Sequence, residues 1–292
     1  MKQLITLQLC LFFIVLINDE SIGQDVKYSL NEDLLYAAVD DHLLALDLYL
    51  PNNNPSPNLI VWVHGGAWRS GSKENPPLDL VERGYAMASI DYRLSVDALF
   101  PSMIHDIKAA IRWLRGHAEE YGYQSEKIII WGSSAGGHLA ALVGTTNGVK
   151  ELEGDIGHHT EESSSVQGII DFFGPTNFLT ILNQSTPHGL NVRVPALALL
   201  LGKSVKQDSA NAILASPVFH VDPSDPPLFI AHGNQDVQVP INQSLELVHA
   251  YEKNGLKVTF EVVYEEGHGG KRFHDKELID KLEFFINDIF RE

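Results

Sequence analysis

The chain has 292 residues, 44% apolar and 20% charged, an ordinary globular composition that accommodates one large α/β domain without requiring a second. Its formal net charge is -17, and a surface that acidic excludes nucleic acid as a natural partner while favouring solubility.

In chain order, the first segment is "MKQLITLQLCLFFIVLINDESIGQ". Lys2 provides a basic start, residues 4–17 are almost continuously apolar, and Ser21-Ile22-Gly23 supplies small residues at a cleavage point. This pattern predicts a secretory signal peptide over residues 1–23, cut before Gln24. Its apolar stretch is short for a spanning helix, so the mature form is expected to be secreted or periplasmic and free of the membrane. Cys10, the only cysteine, lies within that segment. The mature chain, a single domain over 24–292, would then have neither disulfides nor thiol chemistry.

"LLYAAVDDHLLALDLYLP" predicts a two-stranded hairpin around Asp40-Asp41, and "NNNPSPN" a turn-rich connection. Buried strands are expected at "LIVWV" from Leu59 and "YAMASIDY" from Tyr85. Over residues 102–121, Ile104, Ile107, Ile111, Leu114 and Tyr121 fall on one helical face. Further strands follow from Lys127, Val166, Leu228 and Lys257. A helix is expected at "INQSLELVHAYEKNG", and another at the C-terminus with Leu278, Leu282, Phe285, Ile286 and Ile289 on one face. Residues 175–217 read as a long, less regular region. Eight strands alternating with helices imply a mostly parallel sheet covered on both faces, with an antiparallel edge from the hairpin. Ligands bind such sheets at the carboxyl ends of the strands.

Chemistry enters at "KIIIWGSSAGGHLAALVG". An apolar strand breaks into Gly132-Ser133-Ser134-Ala135-Gly136, and a helix-forming Ala/Leu stretch follows. This is a G-x-S-x-G pattern in strand–turn–helix context, which makes Ser134 a nucleophile at a tight elbow. Any side chain at the flanking glycines would crowd that turn.

A serine hydroxyl needs a base, and the base a carboxylate that orients it. In this architecture the chain order is Ser, acid, His. Asp236 follows one strand in "FIAHGNQDVQVP" and His268 follows the last in "VVYEEGHGG", so both lie where they can converge on Ser134. Rival acids are Asp171, Glu265 and Glu266. Rival bases are His232, expected to pack at a strand end, and His274, expected to begin a helix. Upstream, His64-Gly65-Gly66-Ala67-Trp68 ends a strand at the H-G-G-x position, whose amides bind the oxyanion. Gly66 and Ala67 are the expected donors, together with Ala135. His64 is expected to hold the loop. Trp68 is a candidate substrate-binding residue, with core packing the equal alternative. His158 and His159 lie in a polar loop and resemble a metal pair only superficially. The chemistry calls for no metal and no organic cofactor.

The segments "HGGAW", "DYRL", "FPSMIHDIKAAIRWLR", "GSSAGGHLAAL", "GVKELEG", "HGNQDVQVP" and "EEGHGG" span nearly the whole mature chain. Through them the protein resembles the α/β-hydrolases, within these the hormone-sensitive-lipase-like carboxylesterases, and most closely the BD-FAE-like feruloyl and acetyl-xylan esterases. The resemblance implies the α/β-hydrolase fold and a serine carboxylic ester hydrolase. The expected substrate is a small ester or acylated polysaccharide, with acetyl or feruloyl groups of the plant cell wall favoured. A general carboxylesterase or a kynurenine-formamidase-like amidase is the alternative within enzymes. A catalytically silent hydrolase fold used for binding is the alternative outside them. Asn234 stands where relatives often carry Asp, which removes a carboxylate near the triad without touching the triad acid.

Overall fold

The computed structural model describes residues 27–291. The expected signal segment, with Cys10, lies outside the described residues. Tyr28–Val39 (β1) and His42–Pro51 (β2) form the hairpin, and β2 pairs antiparallel with Ala86–Ile90 (β4). Then Asn58–Val63 (β3), Gln124–Ser133 (β5), Gly168–Phe172 (β6), Leu228–Gly233 (β7) and Val258–Val263 (β8) extend the sheet in parallel. The eight strands lie in the order β1-β2-β4-β3-β5-β6-β7-β8.

The apolar runs that predicted the central strands are buried on both faces. Leu59, Val61, Val63, Ile128 and Ile130 point to one layer, while Ile60, Trp62, Ile129 and Trp131 point to the other. That alternation is the period of two expected of a strand. Each fully buried Ile, Leu or Val contributes about 1.5–3 kcal/mol, so these runs make the sheet the stable platform of the molecule. One layer holds Ser102–Gly116 (α1) and Ala135–Gly144 (α3), the second Lys276–Arg291 (α8). The predicted helix over 102–121 is interrupted at His117, whose Nδ1 donates to the Trp113 carbonyl at 2.8 Å. A separate turn, Ala118–Tyr121 (α2), follows.

Residues 175–217 are more regular than expected. They contain Ile181–Gln184 (α4), Pro187–Leu201 (α5) and Ser209–Leu214 (α6). The sequence of α5 hides it, because Pro195 lies inside and "VPALALLL" has no polar stripe to reveal a helical period. The helix is held from without. Thr186 caps its N-terminus by accepting from the Gly189 amide at 3.0 Å, and the Leu200 carbonyl accepts from Phe100 N at 2.9 Å. Asn242–Lys253 (α7) is tied to α4, where Gln243 Nε2 donates to Gln184 Oε1 at 2.8 Å. The chain passes from β3 to β4 on one side and returns to β5 on the other. The crevice therefore opens above β3 and β5, where the Gly-Gly loop and the elbow emerge.

Candidate active site

Ser134 sits between β5 and α3 with φ 55° and ψ -119°. A non-glycine residue there costs about 1–3 kcal/mol and persists only where its surroundings enforce it. The Ser134 amide donates to Phe172 O at 2.8 Å, and its carbonyl accepts from His138 N at 3.0 Å. The flanking glycines answer to contact rather than to φ. A Cβ on Gly132 would lie 2.2 Å from Gly136 O, and one on Gly136 would lie 2.0 Å from Val63 O. The elbow is thus pressed against its own helix and against the end of β3.

His268 bridges the other two predicted groups. Its Nε2 is 2.7 Å from Ser134 Oγ and its Nδ1 is 2.7 Å from Asp236 Oδ2. A carboxylate only accepts, so Nδ1 carries the proton and Nε2 is free to receive the serine's. The Asp236 side chain is fully buried. Burial by itself would raise its pKa, but hydrogen bonds from His232, His268 and the Val239 amide more than offset this and hold it well below the usual carboxylate range. Its Oδ1 accepts from Gln238 N at 2.7 Å and Val239 N at 2.9 Å. Phe173 packs edge-on against the His268 ring, with centroids 4.9 Å apart.

The rivals are engaged elsewhere. Asp171 is buried in β6, where Oδ1 accepts from Gly174 N at 2.8 Å. Glu265 pairs with Arg272, and Glu266 accepts from the Arg272 amide at 3.1 Å. His274 closes a short 3₁₀ turn ahead of α8 and pairs with Asp79 at 3.0 Å. Asn234 shapes the site without a charge, since its Oδ1 accepts from Glu265 N at 2.8 Å and ties the acid loop to the histidine loop. Ser133 lines a cavity of about 220 Å³ with Trp62, Trp131, Phe173 and Gly269 and takes no part in the relay.

The oxyanion loop is a run of three left-handed residues: Gly66 at φ 108°, Ala67 at 52° and Trp68 at 62°. At Gly66 a Cβ would meet Ser70 O at 1.9 Å, so only glycine fits. The Gly66 carbonyl is occupied by the Arg69 and Ser70 amides at 3.1 and 3.2 Å. Among the described residues, the amides of Gly66, Ala67 and Ala135 donate to no protein acceptor, which leaves all three available to a developing oxyanion. His64 holds the loop as expected. Its Nδ1 donates to Gly65 O at 2.7 Å, and the ring stacks on Tyr92 at 4.3 Å.

Of the two roles expected for Trp68, the structure takes core packing and not the substrate lining. The indole has no exposed surface. Its Nε1 donates to His138 Nδ1 at 3.0 Å and its ring packs on Phe178, so it braces the oxyanion loop from below and meets no substrate. His138 is accordingly neutral. Burial pushes its pKa down to about 4, and Nε2 donates to Ala215 O at 2.7 Å.

His232, the rival base expected to pack at a strand end, does so behind the acid at the end of β7, whereas sequence reasoning missed Arg193 on α5, whose Nε lies 3.4 Å from the Gln238 carbonyl of the acid loop. His232 Nδ1 accepts from Ser244 Oγ at 2.7 Å, and Nε2 donates to Val239 O at 2.9 Å. Nothing in the local pattern marks Arg193, because its contact joins distant elements. Among the described residues, no group of three or more His, Cys, Asp or Glu side chains is placed to hold a metal ion. His159 instead packs edge-on against His117, with centroids 4.8 Å apart.

A twisted sheet carrying a serine elbow, a histidine after the last strand and an acid after the strand before it defines an α/β-hydrolase. The chain belongs to the BD-FAE family of α/β-hydrolase carboxylesterases, which it matches over residues 46–251. It is 32% identical over 203 residues to a probable carboxylic ester hydrolase, LipM, of Mycobacterium tuberculosis, covering 68% of this chain and 45% of that one. It is 31% identical over 254 residues to a probable isoprenylcysteine alpha-carbonyl methylesterase of Arabidopsis thaliana, covering 85% and 52%. The chain thus spans about half the length of these curated relatives. Among solved structures, a truncated carbohydrate esterase from gut microbiota superposes with a TM-score of 0.82 at 31% identity, covering 92% of this chain and 99% of that one. A bifunctional GH43-CE protein of Bacteroides eggerthii superposes at 0.80 and 33% identity, covering 89% and 35%.

Proposed function

We propose that the protein is a serine carboxylic ester hydrolase acting on acylated carbohydrate, removing acetyl or feruloyl groups from plant cell-wall polysaccharide outside the cytoplasm. The observation that carries the chemistry is the continuous relay from Ser134 Oγ through His268 to Asp236, with 2.7 Å at each link, beside three open amides. Ser134 attacks the ester carbonyl as its proton passes to His268 Nε2. Asp236 fixes the tautomer and stabilises the imidazolium. Gly66, Ala67 and Ala135 donate to the oxyanion, a contribution of about 3–4 kcal/mol per donor in well-formed sites. The tetrahedral intermediate collapses, the C–O bond breaks, and His268 returns its proton to the leaving alcohol. Water then attacks the acyl-enzyme with His268 again as base, which releases the acid and restores Ser134.

The carbohydrate part of the reading is supported by the structural neighbour described as a carbohydrate esterase from gut microbiota, and the location by the leader-like first 23 residues. An assembled relay argues against a silent binding fold, since an unused serine would have no need of the strain at φ 55°. The test is a substrate panel of acetylated xylan, methyl ferulate, 4-nitrophenyl acetate and N-formylkynurenine. Turnover of acetylated xylan or methyl ferulate is expected. Cleavage of N-formylkynurenine alone would transfer the protein to the amidases.

A further inference from the structure

The cavity of about 220 Å³ beside the triad lies on the face of the sheet that α8 covers. Its walls come from separate elements: Trp62 of β3, Ser133 at the end of β5, Phe173 just after β6 and Phe273 of the 3₁₀ turn ahead of α8. Phe173 and Phe273 meet edge to face with centroids 4.7 Å apart. His274 and Asp79 pair at 3.0 Å, which ties the loop carrying Asn75 to the turn carrying Phe273. Asn75, Gly270 and His274 are exposed, so the cavity opens to solvent at that rim.

The cavity borders both reacting side chains. Ser133, which precedes the nucleophile, and Gly269, which follows the base, both line it. Phe173 lines it too, and the same ring packs on His268 at 4.9 Å. A Cβ built on Gly65 would lie 3.7 Å from Ser133 Oγ and 3.4 Å from Ser134 Cβ, so the hydroxyl in the wall and the nucleophile's side chain approach the same point of the oxyanion loop. Gly269, at φ 86°, keeps the space over Phe173 open, since a Cβ there would sit 3.7 Å from Phe173 Cζ.

The lining is aromatic and carries no Lys or Arg, which suits a neutral group and not an anion. Among the described residues, Ser133 Oγ and the Asn75 side chain have no hydrogen-bond partner, which leaves both free for an oxygen on a ligand. The size fits a single ring with a short spacer, because an apolar cavity of about 150 Å³ already holds benzene.

We propose that this cavity is a substrate subsite that seats a planar, uncharged aromatic ring, so that the favoured esters carry such a ring a short spacer away from the scissile bond. Phe173 and Phe273 offer ring faces and edges that a flat ring matches and a puckered one does not. Ser133 and Asn75 receive a hydroxyl on that ring. The inference rests on the esterase reading above and narrows its substrates.

The ring can belong to the acyl group or to the alcohol, and matched probes separate the two. One pair is ethyl 3-phenylpropanoate and ethyl 3-cyclohexylpropanoate. The other is benzyl acetate and cyclohexylmethyl acetate. Within each pair the reacting centre is the same and only the flatness of the ring differs. In at least one pair the wild type is expected to favour the flat ring by about 5- to 20-fold in kcat/KM, the yield of one or two ring contacts. A 4-hydroxyl on the preferred ring should add roughly 2- to 10-fold. Phe273→Leu, which removes one ring from the wall, should bring the flat-to-puckered ratio toward one. Asn75→Phe, at the exposed rim, fills the mouth and should do the same without touching the core. Because the ratio is internal to each preparation, a partly destabilised variant still reports it. Calorimetric binding of the same four esters to Ser134→Ala reads the subsite apart from the chemistry. Turnover with ratios near one in both pairs, or a ratio that survives in both variants, overturns the subsite and leaves the esterase reading standing. Tighter binding of the flat rings with no turnover by the wild type would sink the esterase reading and leave the subsite. Preference in the acyl pair selects an aromatic acyl group over acetyl.

Discussion

The Nε2 of His232 lies 3.4 Å from the same Asp236 oxygen that His268 contacts at 2.7 Å. His232 stands four residues before the acid, at the end of β7, and is fully buried. Because its Nε2 also meets the Val239 carbonyl, that nitrogen carries the hydrogen and shares it across the acid loop. His232→Ala is expected to lower kcat by roughly 10-fold with little change in KM, since it loosens the acid without removing it. Asp236→Asn, which upsets the tautomer itself, should cost roughly 10³- to 10⁴-fold. Steady-state kinetics on 4-nitrophenyl acetate compares the two, and equal losses would mean that His232 does more than position.

The two adjacent serines should behave oppositely. Ser134→Ala is expected to abolish fluorophosphonate labelling and reduce kcat by roughly 10⁴-fold or more while the melting curve stays close to that of the wild type. Ser133→Ala, whose hydroxyl faces the cavity beside Trp131, should still label. A dead Ser133→Ala with a labelled Ser134→Ala would reverse the assignment of the elbow.

Trp68 should report as a strut. Trp68→Ala removes a fully buried indole and is expected to cost about 3–5 kcal/mol. Trp68→Phe keeps most of the packing but leaves His138 Nδ1 without its donor, at about 1–3 kcal/mol. Denaturant titrations give both values. A Trp68→Phe protein of wild-type stability with a sharply raised KM would restore the sequence reading of a substrate-lining residue.

Asp171 sets a pH dependence of stability. Burial raises its pKa from 3.8 to about 7, opposed by the Gly174 amide and by His232. Between these two values the unfolded chain has released the proton that the folded chain still holds. Folding therefore takes up a proton, and this group's contribution to stability declines as pH rises from about 4 to 7, then levels off. Three units correspond to about 4 kcal/mol at most. Asp171→Asn lacks the effect, so its Tm should gain on that of the wild type between pH 4 and pH 8, at about 2–4 °C per kcal/mol. A difference that stays constant over that range would show that Asp171 is ionised in the fold.

What was legible in the sequence divides along a physical line. Each central strand of the sheet is marked by its own residues, because a strand buried on both faces must be apolar almost throughout, as residues 128–131 are. The triad was legible for a related reason, since Ser134, Asp236 and His268 each directly follow a strand whose end is visible. Helix α5 was not, because Pro195 and an unbroken leucine surface conceal the helical period, and its stability comes from the loops at its two ends. Trp68 stood between two roles because its exposure is decided by Phe178 and His138, which lie on other elements of the fold. His232 was legible as a strand-end residue, but its partner Ser244 was not, because that serine belongs to α7.

The relay from Ser134 to His268 spans 134 residues of chain, and the acid joins from a third strand. The nucleophile is therefore made well before the base, which follows β8. Contacts this distant in sequence form late in folding, after the entropy of closing the intervening chain has been met. A nascent or C-terminally clipped chain can carry a complete elbow and oxyanion loop and remain inert. The appearance of esterase activity is thus a clock for completion of the sheet's last edge, and it can be followed in real time during refolding with a chromogenic ester.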